Sequence, residues 1–104
     1  MTQAKGAAAG GPNLVGPIVQ AGEIAEAVIE AVKEDNPGRT VVVQERASYV
    51  RIGVDGECTI RRKTMEQKLG RPFRMQELEV GMSSFAGQIE TTTDHMRFYF
   101  ERKL

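Results

Sequence analysis

At 104 residues the chain fits one domain, which buries roughly two thirds of the surface its unfolded form would expose; a core is feasible, a large pocket much less so. Fourteen basic and fourteen acidic side chains cancel, which removes the strong positive field of a protein held to nucleic acid by phosphate contacts. Cys58 has no second cysteine to pair with, no apolar run approaches the roughly 20 residues of a membrane span, and the start lacks a signal-peptide apolar region, so a soluble, reduced, cytoplasmic protein with a protein partner is expected.

Residues 1–12 hold no large apolar side chain after Met1 and cannot offset their ordering entropy by burial, so they read as a flexible tail before a single domain over 13–104. Leu14 to Val19 is apolar but broken by Gly16 and Pro17; proline removes a ladder donor, which predicts a short edge strand or extended arm. From Glu23 to Glu34, Ile24, Val28 and Val32 recur at helical spacing with Ala25 and Ile29 beside them, the pattern of an amphipathic helix. Asn36-Pro37-Gly38 stops it, and a valine-rich strand starts at Thr40.

Val50, Ile52 and Val54 alternate with Tyr49, Arg51 and Gly53, and the alternation resumes at Cys58 and Ile60 after Asp55-Gly56, which predicts a type I′ hairpin at that dipeptide. Thr64 and Gln67 have capping-box spacing for a short helix that Gly70 can close. Pro72 separates it from a second short helix around Met75 to Glu79. A last hairpin joins 88–92 to 95–102, with Met96, Phe98 and Phe100 on one face and Arg97, Tyr99 and Glu101 on the other. The fold class is α+β, with mostly antiparallel sheets, one longer helix and two short ones.

The residues that carry chemistry are few. A di-iron carboxylate site needs two Glu-x-x-His pairs, whereas His95 is the only histidine and has Thr92 three residues before it; it reads as a solvated hairpin residue. Cys58 shares the apolar side of its strand with Ile60, which fits packing rather than nucleophilic work. Glu23, Glu26 and Glu30 fit a solvated helix face, and no glycine loop precedes Lys63-Thr64 as a phosphate cradle requires. No catalytic, cofactor or metal residue is expected. One alternative is a small sheet that stacks single-stranded nucleic acid on Arg97-Phe98-Tyr99-Phe100 beside Arg61-Arg62-Lys63, although the glycine pattern of such domains is absent. Arg71 and Tyr49 fit a binding hot spot and an ordinary rim alike. Ser83-Ser84-Phe85-Ala86-Gly87, small and polar around one aromatic, fits a plain loop or a surface that a partner backbone approaches closely.

Several stretches together resemble one family: residues 43–52 (VQERASYVRI), Leu69-Gly70-Arg71-Pro72-Phe73, Val15-Gly16-Pro17-Ile18, Asp35-Asn36-Pro37-Gly38, Met75-Gln76-Glu77-Leu78-Glu79, residues 84–89 and Arg97-Phe98-Tyr99-Phe100. Their collinear order is similar to the effector (regulatory, coupling) proteins of bacterial soluble di-iron multicomponent monooxygenases, with the toluene-monooxygenase branch nearest. The resemblance implies a cofactor-free protein, not an enzyme on its own, that docks on the hydroxylase α subunit above the buried di-iron centre. There it regulates oxygen activation, coupling and turnover of aromatic hydroxylation. Electrons would reach the hydroxylase from NADH through a reductase and a Rieske ferredoxin. Position by position, Ser83, Ser84 and Phe85 fall on the segment that meets the hydroxylase in relatives, so that Ser83 to Gly87, with Tyr49 and Arg71, form the expected contact set. Relatives often carry asparagine where this chain has Arg74, which cannot accept the capping hydrogen bond and puts the start of the following helix in question.

Overall fold

The computed structural model describes residues 13–100. The tail expected over 1–12 and the end of the expected final strand, 101 and 102, lie outside the described residues. In chain order the elements are β1 (Leu14–Gln20), α1 (Glu23–Asp35), β2 (Val41–Glu45), β3 (Tyr49–Asp55), β4 (Glu57–Arg61), α2 (Arg62–Leu69), α3 (Met75–Gly81), β5 (Met82–Ala86), β6 (Gln88–Thr91) and β7 (His95–Tyr99). This is the expected α+β architecture. All strand pairing is antiparallel, in a four-stranded sheet ordered β2-β3-β1-β5 and a three-stranded sheet ordered β4-β7-β6.

The inward side chains of both sheets and the apolar side of α1 form one cluster, from Val15, Val28 and Ile52 to Ile60, Met96 and Phe98. Cys58 belongs to it, fully buried. Desolvation first, and then the nearby Asp35 and Glu57 carboxylates, push its thiol from 9.0 up to about 12.

The path between the sheets differs from the hairpin expected at Asp55-Gly56. Gly56 does take a positive φ of 84°, but β3 pairs with β1 and β2 while β4 pairs with β7, so the dipeptide is a corner at which the chain leaves one sheet for the other. The Gly56 N–H donates to the Asn13 carbonyl (2.9 Å) and the Gly56 carbonyl accepts from the Phe100 N–H (3.0 Å). Those bonds replace the ones a hairpin would close on itself. The hairpin forms instead between β2 and β3, where the Arg46 N–H donates to the Tyr49 carbonyl at 2.8 Å.

Two further expectations are corrected. Strand β1 is not an edge or a free arm: it lies between β3 and β5. Its proline is tolerated because the β1–β3 register runs Leu14 to Asp55 and Val15 to Val54, skips Gly16 and Pro17, and resumes at Ile18 opposite Arg51. The missing donor falls in that gap. Residues 82–86 are not a loop but β5, because pairing with β1 overrides a composition with little strand preference of its own.

Helix α2 starts two residues before Thr64, so no Thr64–Gln67 capping box forms. The cap comes from the end of α1. One Asp35 carboxylate oxygen accepts the Arg61 N–H (2.8 Å) and the other the Thr64 hydroxyl (2.7 Å). Beside it Asn36, only 6% exposed, donates to the Val32 and Thr59 carbonyls (2.8 and 2.9 Å) and accepts the Thr59 N–H at 2.9 Å. Gly70 closes α2 in the left-handed conformation as expected, with φ 71° and its N–H on the Glu66 carbonyl. The start of α3 is secured despite Arg74: the Glu77 carboxylate accepts the Arg74 N–H (3.1 Å) while the Glu77 N–H donates to the Arg74 carbonyl (2.9 Å). That N–H, and then Arg71, hold the Glu77 carboxyl below its usual range.

Removing the Asn36 amide strands two backbone groups of Thr59, so Asn36→Ala should cost about 2–3 kcal/mol, and lower the melting midpoint by roughly 10–20 °C in a domain of this size. A circular-dichroism melt checks it; a midpoint unchanged within a few degrees would refute the role. Cys58 adds a pH dependence with a defined sign. Its folded pKa lies above the unfolded value, so between pH 9 and about 12 the folded state holds more protons and stability falls as pH rises, by up to about 1 kcal/mol per pH unit. Chemical denaturation of wild type and Cys58→Ala across that range should show a shallower alkaline decline in the variant.

Candidate functional site

The two sheets present outer faces of opposite character. On the three-stranded sheet Arg97 lies between Glu90 (3.2 Å) and Glu57 (3.1 Å) and its guanidinium carbon stacks 4.3 Å from the centre of the Tyr99 ring. Arg97 first, then His95, lower the Glu90 carboxyl, and Glu90 in turn raises Arg97. These charges neutralise one another in place. Phe98 is fully buried on the opposite side, and Arg62 is held by Glu66 and Asp94. Of the aromatic residues that the nucleic-acid alternative would stack on, Phe98 is thus turned into the core and Tyr99 is covered by Arg97, which leaves Phe100 exposed at the end of the strand.

The outer face of the four-stranded sheet carries one apolar row and one mostly polar row. Antiparallel register places Val42, Gly53, Gly16 and Ala86 in one row across the strands, and Gln44, Arg51, Ile18 and Ser84 in the next. Leu14 leans over Gly53, where an added Cβ would meet the Leu14 Cβ at 3.3 Å. The two glycines leave bare backbone at the centre, and the result is a trough of about 200 Å³ lined by Leu14, Ile18, Val42 and Ala86, with Gln44 and Arg51 at one side. Gly16 cannot be replaced without moving β3: its φ is 149° and a Cβ would lie 2.2 Å from the Ile52 carbonyl oxygen.

The residues expected to meet a partner divide among five places. Ser84 and Ala86 lie on the outer face, and Tyr49 shares it from the far end of β3, opposite Gln20. Ser83 occupies the irregularity where the β1–β5 register shifts, its hydroxyl 3.4 Å from the Ile18 carbonyl. Phe85 points the other way, its ring centre 5.8 Å from that of buried Phe98, and closes the edge of the core while remaining 39% exposed. Gly87 is the second corner between the sheets, with φ 97°; a Cβ there would meet Val15 Cγ1 at 2.6 Å and the Tyr99 carbonyl at 2.8 Å. Arg71 is apart from the face. It bridges Glu23 (3.6 Å) and Glu77 (3.2 Å), tying the start of α1 to that of α3.

Sequence reasoning passed over Leu14, Ile18, Val42, Gln44, Arg51 and Gly53. The available signal was the alternation of Tyr49, Arg51 and Gly53 with buried valines, which fixes their side of the sheet but not their neighbours. Among the described residues no group of three or more potential metal ligands is found, and no helix is long and apolar enough to cross a membrane. Among the described residues the trough offers shape and one cation without an ion pair, Arg51.

Comparison with known proteins agrees with a non-catalytic role. The model of the MmoB/DmpM family matches residues 13–99. The chain is 48% identical over 89 residues to the effector subunit of the alkene monooxygenase system of Xanthobacter autotrophicus strain Py2, covering 86% of this chain and 88% of that one. It is 37% identical over 76 residues to the stimulatory component DmpM of phenol 2-monooxygenase from Pseudomonas sp. strain CF600, covering 73% and 80%. A chain in the structure of a phenol hydroxylase–regulatory protein complex superposes with a TM-score of 0.72 at 31% identity, over 85% of this chain and 98% of that one. The soluble methane monooxygenase regulatory protein B shares the fold, with a TM-score of 0.65 at 23% identity, over 86% of this chain and 67% of that one.

Gly87 separates a role in the fold from a role in contact. Because its added Cβ strikes β1 and β7, Gly87→Ala should lower the melting midpoint of the isolated protein by several degrees. If the variant melts like wild type, the corner is not what requires glycine.

Proposed function

The chain belongs to the MmoB/DmpM family, and from that membership we propose how it acts as the effector of a di-iron multicomponent monooxygenase. It is a regulatory component and not a catalyst by itself, and its partner is the hydroxylase. In our reading it docks on the hydroxylase α subunit through the outer face of the four-stranded sheet, using Ser83, Ser84, Ala86 and Tyr49, while Phe85 and Gly87 hold β5 in place and Arg71 braces the helices. The observation that carries this reading is the contrast between the sheets: one outer face is covered at its centre by the ion pairs of Arg97, the other carries an open trough with an apolar floor. Docking there alters the hydroxylase active site and so couples electron delivery to oxygen activation. The effector carries no metal or cofactor; iron resides in the hydroxylase, and electrons come from NADH through a reductase and a Rieske ferredoxin. The phenol-acting relative supports an aromatic substrate of the toluene-monooxygenase type, and the alkene relative extends the range to alkenes. The complex works in the cytoplasm.

Ser84 tests the face because it is exposed and its side chain takes part in none of the observed hydrogen bonds. Ser84→Asp would bury a charge on docking, at several kcal/mol, and should weaken binding to the cognate hydroxylase by at least about 100-fold while the isolated variant keeps its melting midpoint. Glu26→Lys, on the exposed side of α1, should bind within twofold of wild type. Titration into the hydroxylase, following turnover and NADH consumption together, measures both. Wild-type behaviour of Ser84→Asp with loss of binding in Glu26→Lys would move the docking face to the helix.

A further inference from the structure

Each sheet carries an outward arginine in the middle of a strand, and the two are treated differently. Arg97 has two carboxylates and an aromatic ring. Arg51, exposed and set between Gln44 and Ile18 in its row, has no ion pair and no side-chain hydrogen bond among the described residues. Among the described residues it is the only charged one lining the trough. The carboxylate nearest along its own strand on that face is Asp55, four residues away and about 13 Å at the rise of a strand, which is beyond pairing distance.

From this we infer that the four-stranded sheet recognises an acidic residue of the hydroxylase: one Asp or Glu carboxylate of the partner pairs with Arg51 while a neighbouring apolar side chain fills the trough over Gly16 and Gly53. The inference rests on the docking reading above and adds the chemistry of the partner surface. A cavity of roughly 150 Å³ holds a benzene ring, so about 200 Å³ admits one leucine or phenylalanine side chain. Closing apolar surface over the trough takes water from the guanidinium at its side, and a guanidinium buried without an anion is strongly unfavourable. A carboxylate matches its planar donor fork with two parallel hydrogen bonds. Phosphate fits less well, because the trough supplies only this one cation and the rest of its lining is uncharged. Gln44, opposite Arg51 across the β2–β3 ladder and without a side-chain hydrogen bond among the described residues, is placed to donate to the same carboxylate.

The test measures binding of Arg51→Ala, Arg51→Lys and Arg51→Glu to the cognate hydroxylase at low and high ionic strength, with Ser84→Asp run alongside and melts confirming that each variant folds. Arg51→Ala should bind at least about 30-fold more weakly, as loss of one member of a desolvated charge pair does, and its affinity should depend less on salt than that of wild type. Arg51→Lys should recover part of the loss, and Arg51→Glu should bind more weakly than Arg51→Ala. If Ser84→Asp abolishes binding while Arg51→Ala matches wild type in affinity and salt dependence, the face docks but reads no carboxylate, and the inference fails alone. If neither variant affects binding, the docking reading falls and the inference with it. Sedimentation of the protein without hydroxylase, showing a dimer that Arg51→Glu dissolves, would assign the face to a second copy and overturn the proposal.

Discussion

The outer edge of β4 is bonded to two side chains rather than to another strand, and the relation between the helical and sheet layers depends on that substitution. Asp35 and Asn36 stand at the end of α1 and occupy the outward backbone groups of Thr59 and Arg61, while the same aspartate takes the Thr64 hydroxyl inside α2. An edge strand left bare invites pairing with another chain. Here the edge is covered by the helix terminus, which also fixes where α1 stops and where α2 begins. Lys68 and Glu34 add an ion pair between the same two helices at 2.7 Å. Such an exposed pair contributes little by itself; the buried Asn36 amide and the half-buried Asp35 carboxylate dominate because leaving their partners unmatched is costly.

With that layer fixed, the two glycine corners determine which residues face out together. Gly56 and Gly87 each let a strand pass from one sheet into the other without a loop, so β3 leads into β4 and β5 into β6. Both sheets consequently share one core and have one solvent side each. Arg97, with its glutamates, is solvated and self-contained, whereas the face that holds Ser84 and Arg51 carries the trough over Gly16 and Gly53. An effector has no reaction of its own to perform, so the difference between its faces is where its chemistry lies.

Much of this was legible from local pattern. The amphipathic run from Glu23, the alternation through β3 and β4, the stop at Asn36-Pro37-Gly38 and the left-handed Gly70 all depend on near neighbours, and all appear. The family resemblance, carried by collinear segments, was legible as well. What could not be read locally was pairing over distance. Asp55-Gly56 encodes a positive φ, but whether that φ closes a hairpin or turns a corner is decided by Asn13 and Phe100. Pro17 argues against an interior strand until the gap in the β1 ladder is known. The cap of α2 comes from Asp35, 26 residues before the Arg61 N–H it accepts, and the Ser83 hydroxyl lies near a carbonyl 65 residues away. The trough escaped for the same reason, since its lining comes from four strands that only the sheet order brings together.

The corner at Gly56 has a topological consequence. Its N–H is bonded to Asn13 and its carbonyl to Phe100, so the first and last described residues meet at one residue. The path from 13 to 100 is nearly a closed ring. A linker of a few residues could join those ends, and the chain could then be opened at the exposed Ala47–Ser48 turn between β2 and β3 without cutting any sheet pairing. The permuted protein would place its new termini beside Tyr49, bringing a fused probe to the far end of the open face.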